Sequence, residues 1–130
     1  MRVTASPRLA RAHAVRLELI LRYEMQCGYP GRGPLVVTFP AAVKLPQRFA
    51  VGAVRLAGKP ISAEVKGRRL TVTVPPHKGV LCSLIGLGSV TLGFTRAAKL
   101  TNPARAGSYS FKATHAKHVF AAKLRITPAS

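Results

Sequence analysis

The sequence predicts an all-β protein, a sandwich of seven to nine short, mainly antiparallel strands. Apolar and polar residues alternate with a period of two in several short segments, as they do in half-buried strands. Glycine and proline separate these segments at steady intervals, which is typical of a sandwich. A small barrel is the alternative architecture, because a closed sheet produces the same pattern.

The first clear strand lies in Ala14–Glu24, AVRLELILRYE. Its odd-numbered positions are all apolar or aromatic, and its even-numbered positions are charged except at Ala14 and Ile20. A helix is the weaker alternative, since Leu17, Ile20 and Leu21 also fit a helical spacing. The next segment, Cys27–Pro34, is rich in glycine and proline and predicts a loop.

Further short strands follow, each closed by a turn signal. Lys66–Arg68 is a compact connection that predicts a hairpin. Pro75 and Pro76 end the second strand of that hairpin, because proline lacks the N–H group that a strand donates. The predicted strands after the first are Leu35–Phe39, Phe49–Leu56, Ile61–Val65, Arg69–Val74, Ser89–Thr95, Ser108–Ala113 and His118–Ile126.

A turn before the last two strands, TNPARAGSY, carries a more specific signal. Pro103 moves Asn102 out of the helical region, and Gly107 can adopt a positive φ. Tyr109 and Phe111 then share one face of a strand. This spacing resembles a tyrosine corner, in which the ring packs inward and the hydroxyl bonds to the backbone a few residues upstream. We therefore expect these residues to form a structural turn between the two sheets.

The length of 130 residues is enough for one domain with a hydrophobic core. We expect a single β-sandwich domain over residues 1–130, with its core between about residue 3 and residue 126.

The chain is strongly basic. It has 21 Lys and Arg residues against Glu18, Glu24 and Glu64, and a net charge of +18. Such a charge attracts polyanions, so nucleic acid, anionic lipid headgroups and acidic cell-wall polymers are the candidate partners. The basic residues are spread along the chain, which indicates that they belong to the folded surface.

Cys27 and Cys82 are the two cysteines. They could form one disulfide across the sandwich in an oxidising compartment, or remain two thiols. No apolar run approaches the roughly 18 residues of a membrane span, and residues 1–15 lack the apolar core of a signal peptide. We therefore expect no transmembrane segment, and either a cytoplasmic protein or a fragment of a longer exported one. An unpaired edge strand could mediate self-association.

Four short motifs point to a known family. Phe39-Pro40 follows an early strand, Leu45-Pro46 comes shortly after, Val74-Pro75 ends a strand–turn–strand unit, and Asn102–Tyr109 has the form Asn-Pro-x-x-Ala-Gly-x-Tyr. Over roughly residues 3–113 the chain resembles the immunoglobulin-like β-sandwich domains of S-layer and other surface proteins of Gram-positive bacteria. The resemblance implies an immunoglobulin-like fold and a non-catalytic, wall-associated or exported module. It implies no site residues.

Catalytic chemistry has little support in the sequence. Glu18 and Glu24 would lie roughly 20 Å apart along one strand, too far to act as a pair. Without aspartate a Ser-His-Asp triad is unavailable. Cys82 could pair with His77, but its apolar surroundings, VLCSLIG, indicate burial. We expect no enzyme.

Metal and cofactor sites have equally little support. His115 and His118 are three residues apart, so in a strand they would point to opposite faces, and we interpret them as solvated histidines of a hairpin loop. The glycine-rich segment Gly86–Gly93 lacks the Gly-Lys-Ser/Thr of a phosphate-binding loop. We expect no metal and no cofactor.

The basic side chains remain the candidate binding site. The hairpin connection KGRR projects three cations together, and other basic residues could join it if their loops meet at one end of the sandwich. The alternative is a solvated turn without a ligand. The predicted polyanion-binding residues are Lys44, Arg48, Lys59, Lys66, Arg68, Arg69 and Arg96.

Two functions follow. The strand order and the resemblance favour a structural or adhesive module of an exported or cell-surface protein, which could bind anionic polymers. The charge favours an intracellular nucleic-acid-binding protein of the ribosome-associated or architectural kind.

Overall fold

The described part of the chain forms two five-stranded antiparallel sheets. The structure, a computed structural model, describes residues 1–22, 33–74, 89–115 and 118–129. Cys27, Cys82, His77 and Glu24 lie outside these residues, and so does most of each segment that links β2 to β3 and β7 to β8. The described elements are β1 (Arg2–Ser6), β2 (Arg16–Arg22), β3 (Gly33–Thr38), β4 (Val54–Leu56), β5 (Lys59–Pro60), β6 (Ala63–Lys66), β7 (Arg69–Val74), β8 (Ser89–Phe94), the 3₁₀ helix η1 (Arg96–Ala98), β9 (Gly107–His115) and β10 (His118–Ile126).

Sheet A has the strand order β1-β2-β8-β4-β5, and sheet B has the order β10-β9-β3-β7-β6. Every strand pair in both sheets is antiparallel. The predicted all-β sandwich is confirmed. Within the described ranges, no helix is long and apolar enough to cross a membrane.

The described residues form ten strands, whereas seven to nine were predicted, because β1 and the two-residue β5 were not predicted. The predicted strand Phe49–Leu56 is also wrong over its first half. Its first five residues are not part of a strand, and residues 51–53 form a turn: the Ala53 N–H donates to the Ala50 carbonyl at 3.0 Å, and Gly52 has φ 81°. Within this predicted segment, only β4 pairs with neighbouring strands. The apolar Val51 is exposed to solvent and does not face the core.

The hydrophobic core lies between the sheets and extends along the chain from Val3 to Ile126. Alternate residues of each strand face inward, which produces the period-two pattern. Three rings pack edge to face where the sheets meet: the Phe39 centroid is 5.6 Å from that of Phe94 in β8 and 5.3 Å from that of Phe111 in β9. Aromatic pairs of this geometry contribute beyond their buried area.

The two ends of the sandwich differ in how they are built. We define the lower end as the end where β2 and β9 begin and β3 ends. The upper end is where β2 ends and β3 begins. Strand register places the end of β8 and the start of β4 at the lower end, because Phe94 lies opposite both Leu17 and Val54. The β6–β7 hairpin also turns there, since Arg69 pairs with Thr38 at the end of β3.

Candidate functional site: the basic lower end

The KGRR hairpin forms a two-residue turn at the lower end. Lys66 pairs with Arg69 across it, and Gly67 has φ 61°, a conformation that glycine adopts at little cost. The Arg68 carbonyl accepts the Phe39 N–H at 2.8 Å, which holds the turn against the end of β3. Arg68 therefore projects from the lower end on a fixed backbone, and its side chain is exposed.

Three other predicted basic residues reach the same end from different loops. Lys44 and Arg48 lie between β3 and β4, and Arg96 opens η1 after β8. All three side chains are exposed. The structure thus brings Lys44, Arg48, Arg68 and Arg96 to one end, although they come from three separate connections.

Backbone hydrogen bonds tie these connections together. The Lys44 N–H donates to the Thr101 carbonyl at 3.1 Å, and the Thr101 N–H returns a bond to Lys44 at 3.3 Å. The Val15 N–H donates to the Leu100 carbonyl at 3.1 Å. His13 Nδ1 lies 3.2 Å from the Thr101 hydroxyl. These bonds hold the backbones of the loops in one arrangement at the lower end.

Four basic residues at this end were missed by the sequence-based prediction. Arg8 and Arg11 follow β1, Lys99 follows η1, and Arg105 precedes β9; all four side chains are exposed. The Arg11 N–H donates to the Pro103 carbonyl at 2.9 Å, which joins two of these segments. No sequence motif marks them; only the sheet order shows that their loops share an end. The cationic end is defined as Arg8, Arg11, Lys44, Arg48, Arg68, Arg96, Lys99 and Arg105.

The other three predicted basic residues lie in strands, and two of them, Lys66 and Arg69, flank the KGRR turn at the lower end. Lys59 begins β5 at the edge of sheet A, opposite Leu56 and away from the loops of the lower end. Lys66 and Arg69 are exposed residues of β6 and β7 and belong to the outer face of sheet B. The predicted set of seven therefore divides into a lower-end group, a sheet B pair and the separate Lys59.

Asn102 connects the turn before β9 to the segment after β1. It is 5% exposed, and its side-chain amide donates to the carbonyls of Pro7 and Leu9, both at 2.9 Å. Its backbone N–H donates to the Ala12 carbonyl at 2.9 Å. Pro103 beside it is also buried. Asn102 is thus a buried polar group whose amide hydrogens both have partners, as such groups require.

Tyr109 lies at the start of β9, where the chain has just crossed from sheet A to sheet B. Its hydroxyl donates to the Arg105 carbonyl at 2.6 Å, four residues upstream. Its ring is half-buried and packs against the core. Gly107 has φ 150°, and a Cβ there would lie 3.9 Å from the Tyr109 ring. The backbone between Arg105 and β9 is therefore fixed around this tyrosine.

The histidine interpretation is wrong for His115, which is 1% exposed. His115 and His118 are opposite each other in the β9–β10 hairpin, so they share a face despite being three residues apart. The His118 ring stacks near Phe120, with centroids 6.1 Å apart. In the described part of the chain, no three His, Cys, Asp or Glu side chains group as metal ligands would.

A shallow groove of about 320 Å³ crosses the outer face of sheet A over Gly93. Glu18 and Arg55 lie on either side of this glycine in the strand register, and Arg16 also lines the groove. Arg55 Nε and Nη1 donate to the Gly52 and Gly58 carbonyls, each at 3.4 Å. A single carboxylate beside two guanidinium groups is not an acid–base pair.

Comparison with known proteins gives a fold and no family. No protein-family model and no curated protein matches the chain. The crystal structure of BslA, a bacterial hydrophobin, is similar, with a TM-score of 0.61 and 20% sequence identity over 98% of this chain and 95% of that chain. At this identity the similarity shows the all-β fold alone. These comparisons do not show an immunoglobulin-like or S-layer family.

Proposed function

We propose that the chain is a non-catalytic structural or adhesive module of an exported or cell-surface protein, and that its cationic end binds anionic polymers. The observation that carries polymer binding is the cationic end itself. Exposed basic side chains from several loops meet there, and neither Glu18 nor Glu64, the acids among the described residues, lies in those loops. A polyanion would relieve the mutual repulsion of these charges.

The rigidity of the lower end supports the same conclusion. Its loops are joined by backbone bonds at Thr101, Leu100 and Pro103, and by the side chain of Asn102. A basic surface on a fixed backbone loses less conformational entropy on binding than one on loose loops. The arrangement thus suits a surface that contacts a polymer repeatedly.

A structural role is supported by the placement of the acids. Glu18 lies in sheet A and Glu64 in sheet B, so the described carboxylates do not form a pair. The description of BslA as a bacterial hydrophobin names no reaction. The exported or cell-surface location is supported by the sequence resemblance to bacterial surface domains and by the fold shared with this bacterial protein.

The charge also favours the alternative of nucleic-acid binding. The described aromatic rings argue against single-strand binding, because each is buried or half-buried and none forms an exposed stacking platform. The described elements also include no helix that could enter a major groove.

A salt titration tests the proposal. Binding of poly(glycerol phosphate), polygalacturonate, duplex DNA and single-stranded DNA is measured by competition at increasing salt. We expect an anionic polymer to remain bound at about 150 mM salt, where loose surface attraction is screened. The double variant Lys44→Gln/Arg105→Gln should weaken that binding more than the matched control Arg22→Gln/Lys59→Gln, which removes the same charge elsewhere.

Two results would overturn the proposal. The first is tighter binding of DNA than of either polymer at this salt, with log K for DNA falling against log salt with a slope of about 0.9 per neutralised phosphate. The second is equal weakening by both double variants, which would show that net charge alone attracts the polymer.

A further inference from the structure

The outer face of sheet B carries a second basic surface, which adjoins the cationic end at the KGRR turn. In β9 and β10 every other residue is exposed, so Lys112, Lys123 and Arg125 point away from the core. Lys123 lies opposite Ser110, and Arg125 lies opposite Ser108. Directly opposed residues of antiparallel strands share a face, so these side chains belong to one surface.

The same surface continues across the sheet. Lys112 pairs with Thr38 of β3, Thr38 pairs with Arg69 of β7, and Arg69 pairs with Lys66 of β6. These four residues therefore form a row that runs across four strands. Lys66, Arg69 and Lys112 are exposed, and Thr38 is half-buried between them.

We define the cationic stripe as Lys66, Arg69, Lys112, Lys123 and Arg125. With strands about 4.8 Å apart and same-face residues about 6.8 Å apart, it runs about 14 Å across the sheet and then about 15 Å from Lys112 along β10. Successive cations are thus between about 5 and 10 Å apart. The five positions follow one bent path, which turns through about a right angle near Lys112.

Hydroxyl side chains lie beside the stripe, together with the apolar Ala121, which is opposite Lys112, and Val36, which lies between Thr71 and Thr114. Thr38, Ser110 and Ser108 lie within the stripe or directly beside it, and Thr114 and Thr71 occupy the next row of the same face. Hydroxyls both donate and accept hydrogen bonds, so they match the hydroxyls of a sugar. Glu64, the described acid on this face, lies opposite Thr71 in that next row and outside the stripe.

We infer that the outer face of sheet B binds an acidic polysaccharide along the cationic stripe. This inference rests on the proposed function and names its polymer class and its surface. A single path of cations fits one linear chain with a charge on each monomer, and vesicles of anionic lipid are a competing arm of the test. Single-stranded nucleic acid would need exposed rings for its bases, and the described residues of this face are not aromatic.

The stripe leads towards the cationic end. Thr127 follows β10 two residues after Arg125, and its N–H donates to the Arg8 carbonyl at 2.9 Å. A chain that runs down β10 would therefore come close to Arg8 and to the exposed Leu9, which bridges Thr127. The two basic surfaces can hold consecutive parts of one polymer.

The test uses a galacturonic acid oligomer long enough to span the stripe, with its methyl ester as the uncharged control. Lys112→Gln/Lys123→Gln is compared with Arg2→Gln/Arg22→Gln, which removes two exposed strand cations from sheet A. At about 150 mM salt we expect the sheet B variant to raise Kd about five-fold or more, and the sheet A variant to raise it less than about two-fold. The methyl ester should not bind.

Each other outcome overturns the inference in a recognisable way. If both variants weaken the oligomer equally, or if only Lys44→Gln/Arg105→Gln weakens it, the stripe is not the site although polymer binding stands. Tighter binding of oligo(dT), or of vesicles containing phosphatidylglycerol, would show that the ligand is another class of polyanion. Failure to bind the oligomer, polygalacturonate or poly(glycerol phosphate) would remove the proposed polymer binding as well.

Discussion

Replacing Asn102 tests whether the lower end is held by its side-chain amide. Asn102→Ala removes two hydrogen bonds of 2.9 Å from a side chain that is 5% exposed. At about 1 kcal/mol for each bond, plus a further cost for the vacated space, we expect a loss of about 3 kcal/mol in the free energy of unfolding. The Leu9 carbonyl keeps a second partner in the Ala12 N–H, so the Pro7 carbonyl carries most of the desolvation cost.

Asn102→Asp separates hydrogen bonding from packing. Aspartate has nearly the same shape, but it presents a charged acceptor to two carbonyl oxygens where the amide presented donors. We therefore expect Asn102→Asp to destabilise more than Asn102→Ala, by more than about 3 kcal/mol. If packing alone mattered, aspartate would be the milder change.

The assay is equilibrium unfolding in urea followed by far-ultraviolet circular dichroism, since the chain has no tryptophan. Ser108→Ala, an exposed position at the start of β9, is the control and should change stability by less than about 0.5 kcal/mol. The argument fails if Asn102→Ala is as mild as this control, or if aspartate is tolerated better than alanine.

Three further changes follow from the geometry. Phe39→Ala should cost about 3–5 kcal/mol in urea unfolding, because it empties the space between two other core rings; a cost below about 1 kcal/mol would contradict that packing. Tyr109→Phe should cost about 1 kcal/mol by removing the bond to the Arg105 carbonyl, and an unchanged midpoint would show that this bond contributes nothing. Gly67→Ala should cost about 1 kcal/mol in the free energy of unfolding, because Gly67 has a positive φ. Gly93→Ala should cost less, because its new Cβ would lie 3.9 Å from the nearest atom. The reverse order of melting temperatures would refute this.

Strands with strong alternation could be predicted from the sequence. The bounds of β7 and β10 agree with the prediction, because each alternates cleanly and ends at a proline or a turn. β1 was missed because it is short and buries just one side chain deeply, Val3. The first half of Phe49–Leu56 was wrongly assigned because its apolar residues lie in a turn, where periodicity carries no information.

The arrangement of the basic residues could not be predicted, because it depends on contacts between distant segments. Asn102 bonds to Leu9 across 93 residues of sequence, and no local pattern indicates that pairing. The order of sheet B likewise places Lys112 in line with Arg69, although 42 residues separate them. Local sequence identifies the charges, and topology alone shows which of them lie together.

The junction between the two sheets near Leu9 and Thr127 has a mechanical consequence. These residues form a parallel bridge, with Thr127 donating to the Arg8 carbonyl and accepting from the Ala10 N–H, both at 2.9 Å. If residues 1 and 129 were pulled apart, the two parallel segments would slide past each other, so both bonds would bear the load together instead of breaking in turn. A tensile force along the chain would thus act in shear on the seam that joins sheet A to sheet B.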